Sequence, residues 1–565
     1  MAAVARPSRH LLLWAAGLAA TGATACLAAD AEKLAVKRIF PAGGAAGTSV
    51  VVKAEGSFPR WPVRVWTDRS GTTWKPLDDK GSFEVAIDAG ESVGVHRLRM
   101  HDDREAGPLL RFVVGRGAET VEAEPNDRPP QAETVASLPV TINGVLEKPG
   151  DVDGFGVPLE AGQTLVASLD AHRGPGSPID AVLEVVDDRG GYVARNLDAH
   201  GLDPRIVFTA ARAGRFTVRI YAFPAEPNST IGLSGGVDHT YRLSLTTGGF
   251  LAGTLPAAVP RTGTATVAPL GWNLPAGLTA IPAAAAAPQT SVWVAFEGVA
   301  GVAELPVVAT DRLPIVGPEA TTVAVEPPLV ASGRFAAPKQ ELVQRITARK
   351  SQPLLVSVEG LAAGSEAEVL LDVRAADGRS VLAKTDRDPP AAWTPPDDAE
   401  YAFVLRDRRG GSGPAHFFRL VVVPSEPAVR ATCDLDAVTG AVGGTIDLPI
   451  AVERLRGWSE AVEFALVDPP AGITAEAVTS AATGDSAKKV TLVIKAGAPA
   501  SGPLSIVARR VPVAGAAPQG AAPQGAATEA VTNVSCGKQK LPVLWLTVPP
   551  PAPPAAADAP AKPAS

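Results

Sequence analysis

The sequence predicts an all-β protein, a string of β-sandwich domains of immunoglobulin-like and jelly-roll-like kinds. Three observations carry this. First, apolar residues recur at period two: Phe216, Val218 and Ile220 alternate with Thr217 and Arg219, and Val490, Leu492 and Ile494 give a more buried version. Second, turn residues punctuate the runs, as in Asp188-Arg189-Gly190-Gly191, Asp377-Gly378 and Arg409-Gly410-Gly411. Third, 55 Gly and 53 Pro in 565 residues are too many for a helical protein, while 46% hydrophobic residues suffice for packed cores. At roughly 100–200 residues per domain, the length implies about three to five domains.

Residues 1–29 read as a secretory signal peptide. Arg6 and Arg9 form its basic end, Leu11 to Ala20 its apolar centre, and small residues run through Ala29. Cleavage near Ala28 or Ala29 discards Cys26; the alternative is that Ala-Thr-Ala-Cys26 acts as a poor lipobox and Cys26 carries a lipid. No other run approaches the roughly 18 apolar residues of a transmembrane helix. The expected location is therefore exported: periplasmic, cell-surface or extracellular. A net charge of -7 without a basic block excludes nucleic acid as the main partner.

The chain then repeats itself. Phe40-Pro41, Gly47-Thr48 and Gly56 through Pro59 match Leu255-Pro256, Gly263-Thr264 and Gly271 through Pro275, which sets one module at 33–116 and 250–325. His239, Tyr241, Arg242 and Leu243 match His416, Phe418, Arg419 and Leu420, and Gly144 through Pro149 matches Gly333 through Pro338. That sets a second module at 117–249 and 326–427. A fifth unit, 428–548, alternates at Ile446, Leu448 and Ile450 and reads as an immunoglobulin-like sandwich. It contains a Gly/Ala/Pro/Gln-rich loop at 514–530. Residues 549–565 are a Pro/Ala tail that cannot bury a core.

The 117–249 module resembles the bacterial pre-peptidase C-terminal domain, a secreted sandwich. The resemblance rests on Glu124-Pro125-Asn126-Asp127, Gly150-Asp151-Val152-Asp153, Ala161-Gly162-Gln163, Asp187-Asp188 and the closing Tyr241-Arg242-Leu243. The 326–427 module is a degraded copy without the acidic lead-in. The 33–116 and 250–325 modules resemble IPT/TIG immunoglobulin-like domains. The whole layout resembles large exported proteins of planctomycete-type bacteria. Members of the pre-peptidase family often trail a secreted peptidase, and no peptidase domain is recognisable in this chain.

No G-x-S-x-G elbow, H-E-x-x-H or P-loop occurs, and the seven His are dispersed. The sequence therefore predicts no enzymatic activity. The strongest chemical candidate is the acidic stretch Val121 through Asp127. Calcium takes six to eight oxygen ligands and favours carboxylates and carbonyls. Alternate side chains of an extended segment share a face, so Glu122, Glu124 and Asn126 converge, with Asp127 beside them; Asp151 and Asp153 form a second wall. The alternative is a solvated linker and an acidic turn. The resemblance implies calcium, since related collagen-binding sandwiches use a similar acidic linker. Aligning Pro149 with Pro338 puts Gln340 and Leu342 where Asp151 and Asp153 stand, so a calcium site is expected in the first copy alone.

Cys433 and Cys536 are expected to form a disulfide in an oxidising compartment. Closing a loop of 536 − 433 = 103 residues would contribute about 4–5 kcal/mol in the chain-entropy account. The functional expectation is a non-catalytic binding, adhesion or scaffold protein whose partner is an extracellular protein or polysaccharide. Two alternatives remain at this stage: an accessory subunit of a secreted peptidase, and an enzyme with an unrecognised loop site.

Overall fold

A computed structural model describes residues 33–226, 232–285, 289–317, 323–511 and 530–551. The expected signal peptide with Cys26, nearly all of the 514–530 loop, and most of the 549–565 tail lie outside the described residues. Among the described residues the regular structure is β-strand with short 3-10 turns, and there is no α-helix. The fold is a series of tandem β-sandwiches, as the period-two pattern requires. No described helix is long and apolar enough to cross a membrane.

Among the described residues, ten sheets pair into five sandwiches with five main cores. The first core spans Leu34 to Val114 and the second Val135 to Leu245. The third spans Leu251 to Leu305, the fourth Val316 to Val422, and the last Val429 to Val548. The second sandwich packs a five-stranded sheet on a five-stranded sheet; the fourth packs four strands on four.

The repeats hold at the level of single backbone positions. In the first sandwich the pairing of Ala35–Phe40 with Ser49–Ser57 slips at Val36/Arg38, opposite Gly56. In the third, Phe250–Leu255 slips against Thr264–Trp272 at Leu251/Gly253, opposite Gly271. A Cβ on Gly56 would stand 1.8 Å from the Ala35 carbonyl oxygen, and one on Gly271 would stand 1.8 Å from that of Phe250. Both glycines are required by the same β-bulge, where two backbones approach too closely for any side chain.

The sandwiches do not trail along a line. The first docks on the last: Arg99 Nη2 donates to Asp436 Oδ2 at 2.9 Å, and Trp66 meets Trp545 edge-on at 5.8 Å between ring centroids. Ser501 Oγ lies 3.2 Å from His101 Nδ1. The second and fourth sandwiches meet through Arg205 and Glu366 at 3.4 Å, and the same Arg205 lies over the Phe250 ring of the third. Trp61 and Trp74 pack against Phe83 in the first core, whereas Trp66 and Trp272 serve these junctions.

Candidate metal centre

The acidic stretch enters the second sandwich as part of its sheet. Glu119–Val121 adds in parallel to Val140–Val145, and the Glu122 N–H continues the ladder to the Asn143 carbonyl at 3.0 Å. This fixes the orientation of the Glu122 side chain. Its Oε1 accepts the Val145 N–H at 2.5 Å, and its Oε2 accepts the Tyr241 hydroxyl at 2.6 Å. Tyr241 belongs to Thr240–Thr246 in the same sheet and is 0% exposed. Asp153 opens the strand Asp153–Leu159 in the opposite sheet. Its Oδ2 also lies 2.6 Å from the Tyr241 hydroxyl. Tyr241 thus joins the lead-in segment, its own sheet and the facing sheet.

One proton inventory follows. Three oxygens, from Glu122, Tyr241 and Asp153, lie at hydrogen-bond distance, and the phenol brings a single proton. Two ionised carboxylates cannot both be satisfied by it. The electrostatics agree. Burial, opposed by the Tyr241 and Val145 hydrogen bonds, leaves the Glu122 carboxyl raised to about 7. Burial first, then the charge of Glu122, pushes Asp153 up to about 10. The site needs a further positive charge, either a proton or a cation.

Oxygen atoms of Glu122, Glu124 and Asp153 all lie within 4.8 Å of one another. Asp153 Oδ1 and Asp127 Oδ1 are buried without a hydrogen-bond partner, and Asp151 Oδ1 is buried with only the Lys148 ammonium 3.3 Å away. The nearby charges of Asp151 and Asp127 join burial in raising Glu124. Such a set of orphaned carboxylate oxygens fits a hard cation that takes oxygen ligands.

The structure places the expected residues unevenly. Glu122, Glu124 and Asp153 converge. Asp151 is shared: Oδ2 accepts the Glu147 N–H at 2.6 Å, so half of it is a turn cap, and Lys148 Nζ stands 3.3 Å from Oδ1. Asn126 is fully buried, and its Oδ1 accepts the Gly154 N–H at 3.3 Å, which holds the segment to the facing sheet. Glu124 Oε2 accepts the Asn126 N–H at 3.0 Å, where the chain bends before Pro125. In the sequence Tyr241 reads only as part of a closing motif. The signal that could have exposed it is its change to Phe418 in the second copy.

That copy provides a residue-by-residue comparison. Gly333 faces Phe418 across the ladder as Gly144 faces Tyr241. The Val316 N–H donates to the Ser332 carbonyl as that of Glu122 does to Asn143. Gln340 Oε1 accepts the Ala336 N–H as Asp151 Oδ2 accepts that of Glu147. Lys339 takes φ +57° where Gly150 takes +90°. With these anchors Glu122 corresponds to Val316, Asp153 to Leu342 and Tyr241 to Phe418. All three replacements are apolar, 4%, 2% and 0% exposed, and belong to one core.

The two cysteines come together as register partners where Ala428–Cys433 pairs in parallel with Ser535–Cys536. They are free thiols in this structure, so the bridge expected from the sequence is not formed in it. A hydrogen bond with Cys536 draws the Cys433 thiol down to about 7, and its counterpart, with burial, pushes Cys536 up. Two of the histidines are tied into the fold. His96 Nε2 bonds the Ser92 carbonyl at 2.9 Å, and His239 lies between Ser234 and Asp238 at 2.7 and 2.9 Å.

No family model matches the chain, and no curated protein does. Among solved structures, the chain is similar to the pre-peptidase C-terminal domain of collagenase from Bacillus anthracis, at 20% identity and a TM-score of 0.17. The match covers 22% of this chain and 100% of that one.

Proposed function

We propose that this chain is an exported, non-catalytic binding protein whose first jelly-roll-like sandwich holds one calcium ion. One observation carries the proposal: three polar groups meet at the mouth of the second sandwich, and the fourth replaces them one for one with Val316, Leu342 and Phe418. A fold that closes this position with apolar side chains does not need Glu122, Asp153 and Tyr241 for stability alone. Glu122, Glu124 and Asp153 would hold the ion, with Asp127 Oδ1 and, in exchange for its contact with Lys148, Asp151 Oδ1 available toward a shell of six to eight. Bound calcium would neutralise the carboxylates and tie the lead-in segment to both sheets. The site would then be structural, setting how the first sandwich enters the second, and the partner-binding surfaces lie elsewhere.

The test is calorimetric titration of calcium into chelator-stripped full-length chain. One ion per chain is expected, with loss of binding in Asp153→Asn. Absence of a saturable signal, or two equivalent ions, would refute it. Docking to a secreted peptidase rests on the family resemblance alone. Co-purification with a peptidase from the source organism would favour it.

A further inference from the structure

Three exposed arginines of the fourth sandwich converge on one carboxylate. Glu368, whose side chain is 8% exposed, leads into the strand Val369–Arg374. Arg387 Nη2 and Arg409 Nη2 both donate to its Oε1, at 3.2 and 2.5 Å, and Arg408 Nη1 stands 3.6 Å from its Oε2. The turn at 407–410 presents two of the three. It is closed by the Gly410 N–H on the Asp407 carbonyl at 3.1 Å and by the Arg409 N–H on Asp407 Oδ1 at 2.7 Å. The Arg408 N–H donates to the Glu368 carbonyl at 2.7 Å, so the backbone fixes this turn to the strand. Arg387 arrives from the turn that follows Ser380–Thr385.

One carboxylate cannot occupy three guanidiniums. Each guanidinium brings five N–H donors, and among the described residues Glu368 is the only acceptor these side chains have. The three side chains are 63, 64 and 68% exposed, so a group arriving from solvent reaches them. The neighbouring carboxylates already serve the backbone. Asp407 holds its own turn, Asp386 Oδ2 accepts the Leu361 N–H at 3.3 Å, and Asp388 Oδ2 accepts that of Thr385 at 2.7 Å. Exposed ion pairs add little stability, and the fold does not require these. Leu183 pairs with Ile220 as Leu371 pairs with Leu405. Counting from there, Asp180 stands at the position of Glu368, and Phe223 and Pro224 at those of Arg408 and Arg409. The second sandwich thus keeps an acid without either arginine, and Asp180 Oδ1 has no hydrogen-bond partner among the described residues.

Guanidiniums fork onto oxyanions, and three of them around one point suit a group with three terminal oxygens better than a carboxylate with two. The high exposure of the side chains suits a group carried on a larger polymer rather than an enclosed small molecule. The chain as a whole has a net charge of -7, so a polyanion is attracted here by local charge and not by the general field. We infer that Arg387, Arg408 and Arg409 bind the sulfate or phosphate ester groups of an extracellular polysaccharide. This names a partner for the binding protein proposed above, and does not depend on its calcium centre.

The test is calorimetric titration of the full chain with dextran sulfate, phosphorylated dextran, carboxymethyl dextran and neutral dextran. It is run in chelator, which keeps the calcium centre out of the result, and at about 0.15 M salt, which screens diffuse attraction. Saturable binding of the sulfated or the phosphorylated polymer is expected, and the tighter of the two identifies the ester. Arg409→Gln should weaken that binding ~10-fold. Arg408→Gln leaves Glu368 its two hydrogen-bonded partners, so it remains informative if the first variant folds poorly, and should weaken binding similarly. Arg379→Gln removes an exposed charge at the other end of the same hairpin and should bind as the parent does. The inference is overturned if neither ester polymer saturates, if carboxymethyl or neutral dextran binds as well, or if duplex DNA binds more tightly than both. It is equally overturned if Arg408→Gln and Arg409→Gln bind as the parent does, or if Arg379→Gln weakens binding as much as they do.

Discussion

The fourth sandwich specifies the most demanding test of the proposed metal centre. Glu122→Val, Asp153→Leu and Tyr241→Phe together install its own three residues. In calcium-free buffer the parent buries two carboxyls around one phenol proton. Replacing a buried polar cluster by apolar groups of matching shape is often neutral or stabilising by about 1–4 kcal/mol. The triple variant should therefore be at least as stable as the parent without calcium. In calcium at about 100 times the dissociation constant, the parent should gain about 2.7 kcal/mol, and the variant nothing. Tyr241→Phe alone should behave oppositely to the triple. It strips the shared donor from Glu122 Oε2 and Asp153 Oδ2 and should cost about 1–3 kcal/mol without calcium. The effects are then strongly non-additive, as expected for groups sharing one proton.

Hydrogen–deuterium exchange on the full chain is the suitable assay, since five sandwiches do not melt as one unit. Exchange of the 119–127 and 143–155 backbone should slow by about 100-fold with calcium in the parent and be unchanged in the triple variant. The reasoning is refuted if calcium protects parent and variant alike, if it protects neither, or if the triple variant is destabilised as much as Tyr241→Phe.

Other consequences can be measured independently. Burial, and then Arg64, hold His101 below its usual 6.5, although Asp102 and Asp103 pull the other way; across the junction it faces Ser501 and the Trp545 ring. A depressed histidine contributes stability that is lost as pH falls below 6.5 toward its folded value. The first and last sandwiches should therefore part on acidification, seen as a larger radius of gyration in small-angle scattering, and His101→Gln should shift the transition. Asp436→Ala leaves the Arg99 guanidinium, only 4% exposed, without its carboxylate partner and should weaken the same junction at neutral pH. Gly271→Ala drives a Cβ into the Phe250 carbonyl and should lower the stability of the third sandwich by about 1–3 kcal/mol in denaturant titration. Glutathione disulfide should join Cys433 to Cys536 by attack of the Cys433 thiolate and then of Cys536, leaving two reduced glutathiones and a chain lighter by two hydrogens in intact mass; Cys433→Ser should abolish this.

What the sequence revealed depended on the range of the interaction involved. Strand, turn and repeat are written locally. Period two at Phe216–Ile220, the glycines at 56 and 271, and the Gly144/Gly333 pair needed no knowledge of the fold to be noticed. The carboxylates of the candidate site were legible for the same reason, because Glu122 and Glu124 are two apart on an extended segment and Asp151 and Asp153 two apart on a turn. Tyr241 was not, since its role arises only when a strand 88 residues beyond Asp153 crosses the mouth of the sandwich. The contact of Asn126 with Gly154, 28 residues further on, was equally invisible. The junction of the first and last sandwiches left no periodic trace at all. Arg99 and Asp436 are 337 residues apart, and each alone reads as an ordinary surface charge. The second copy narrows this gap, because it shows which polar residues the fold can do without. Where a repeat keeps a backbone hydrogen bond but exchanges its side chains as a set, the set marks a site. By that criterion Glu122, Asp153 and Tyr241 form one unit, while Asp151, whose capping bond survives in Gln340, belongs to the scaffold as much as to the candidate site.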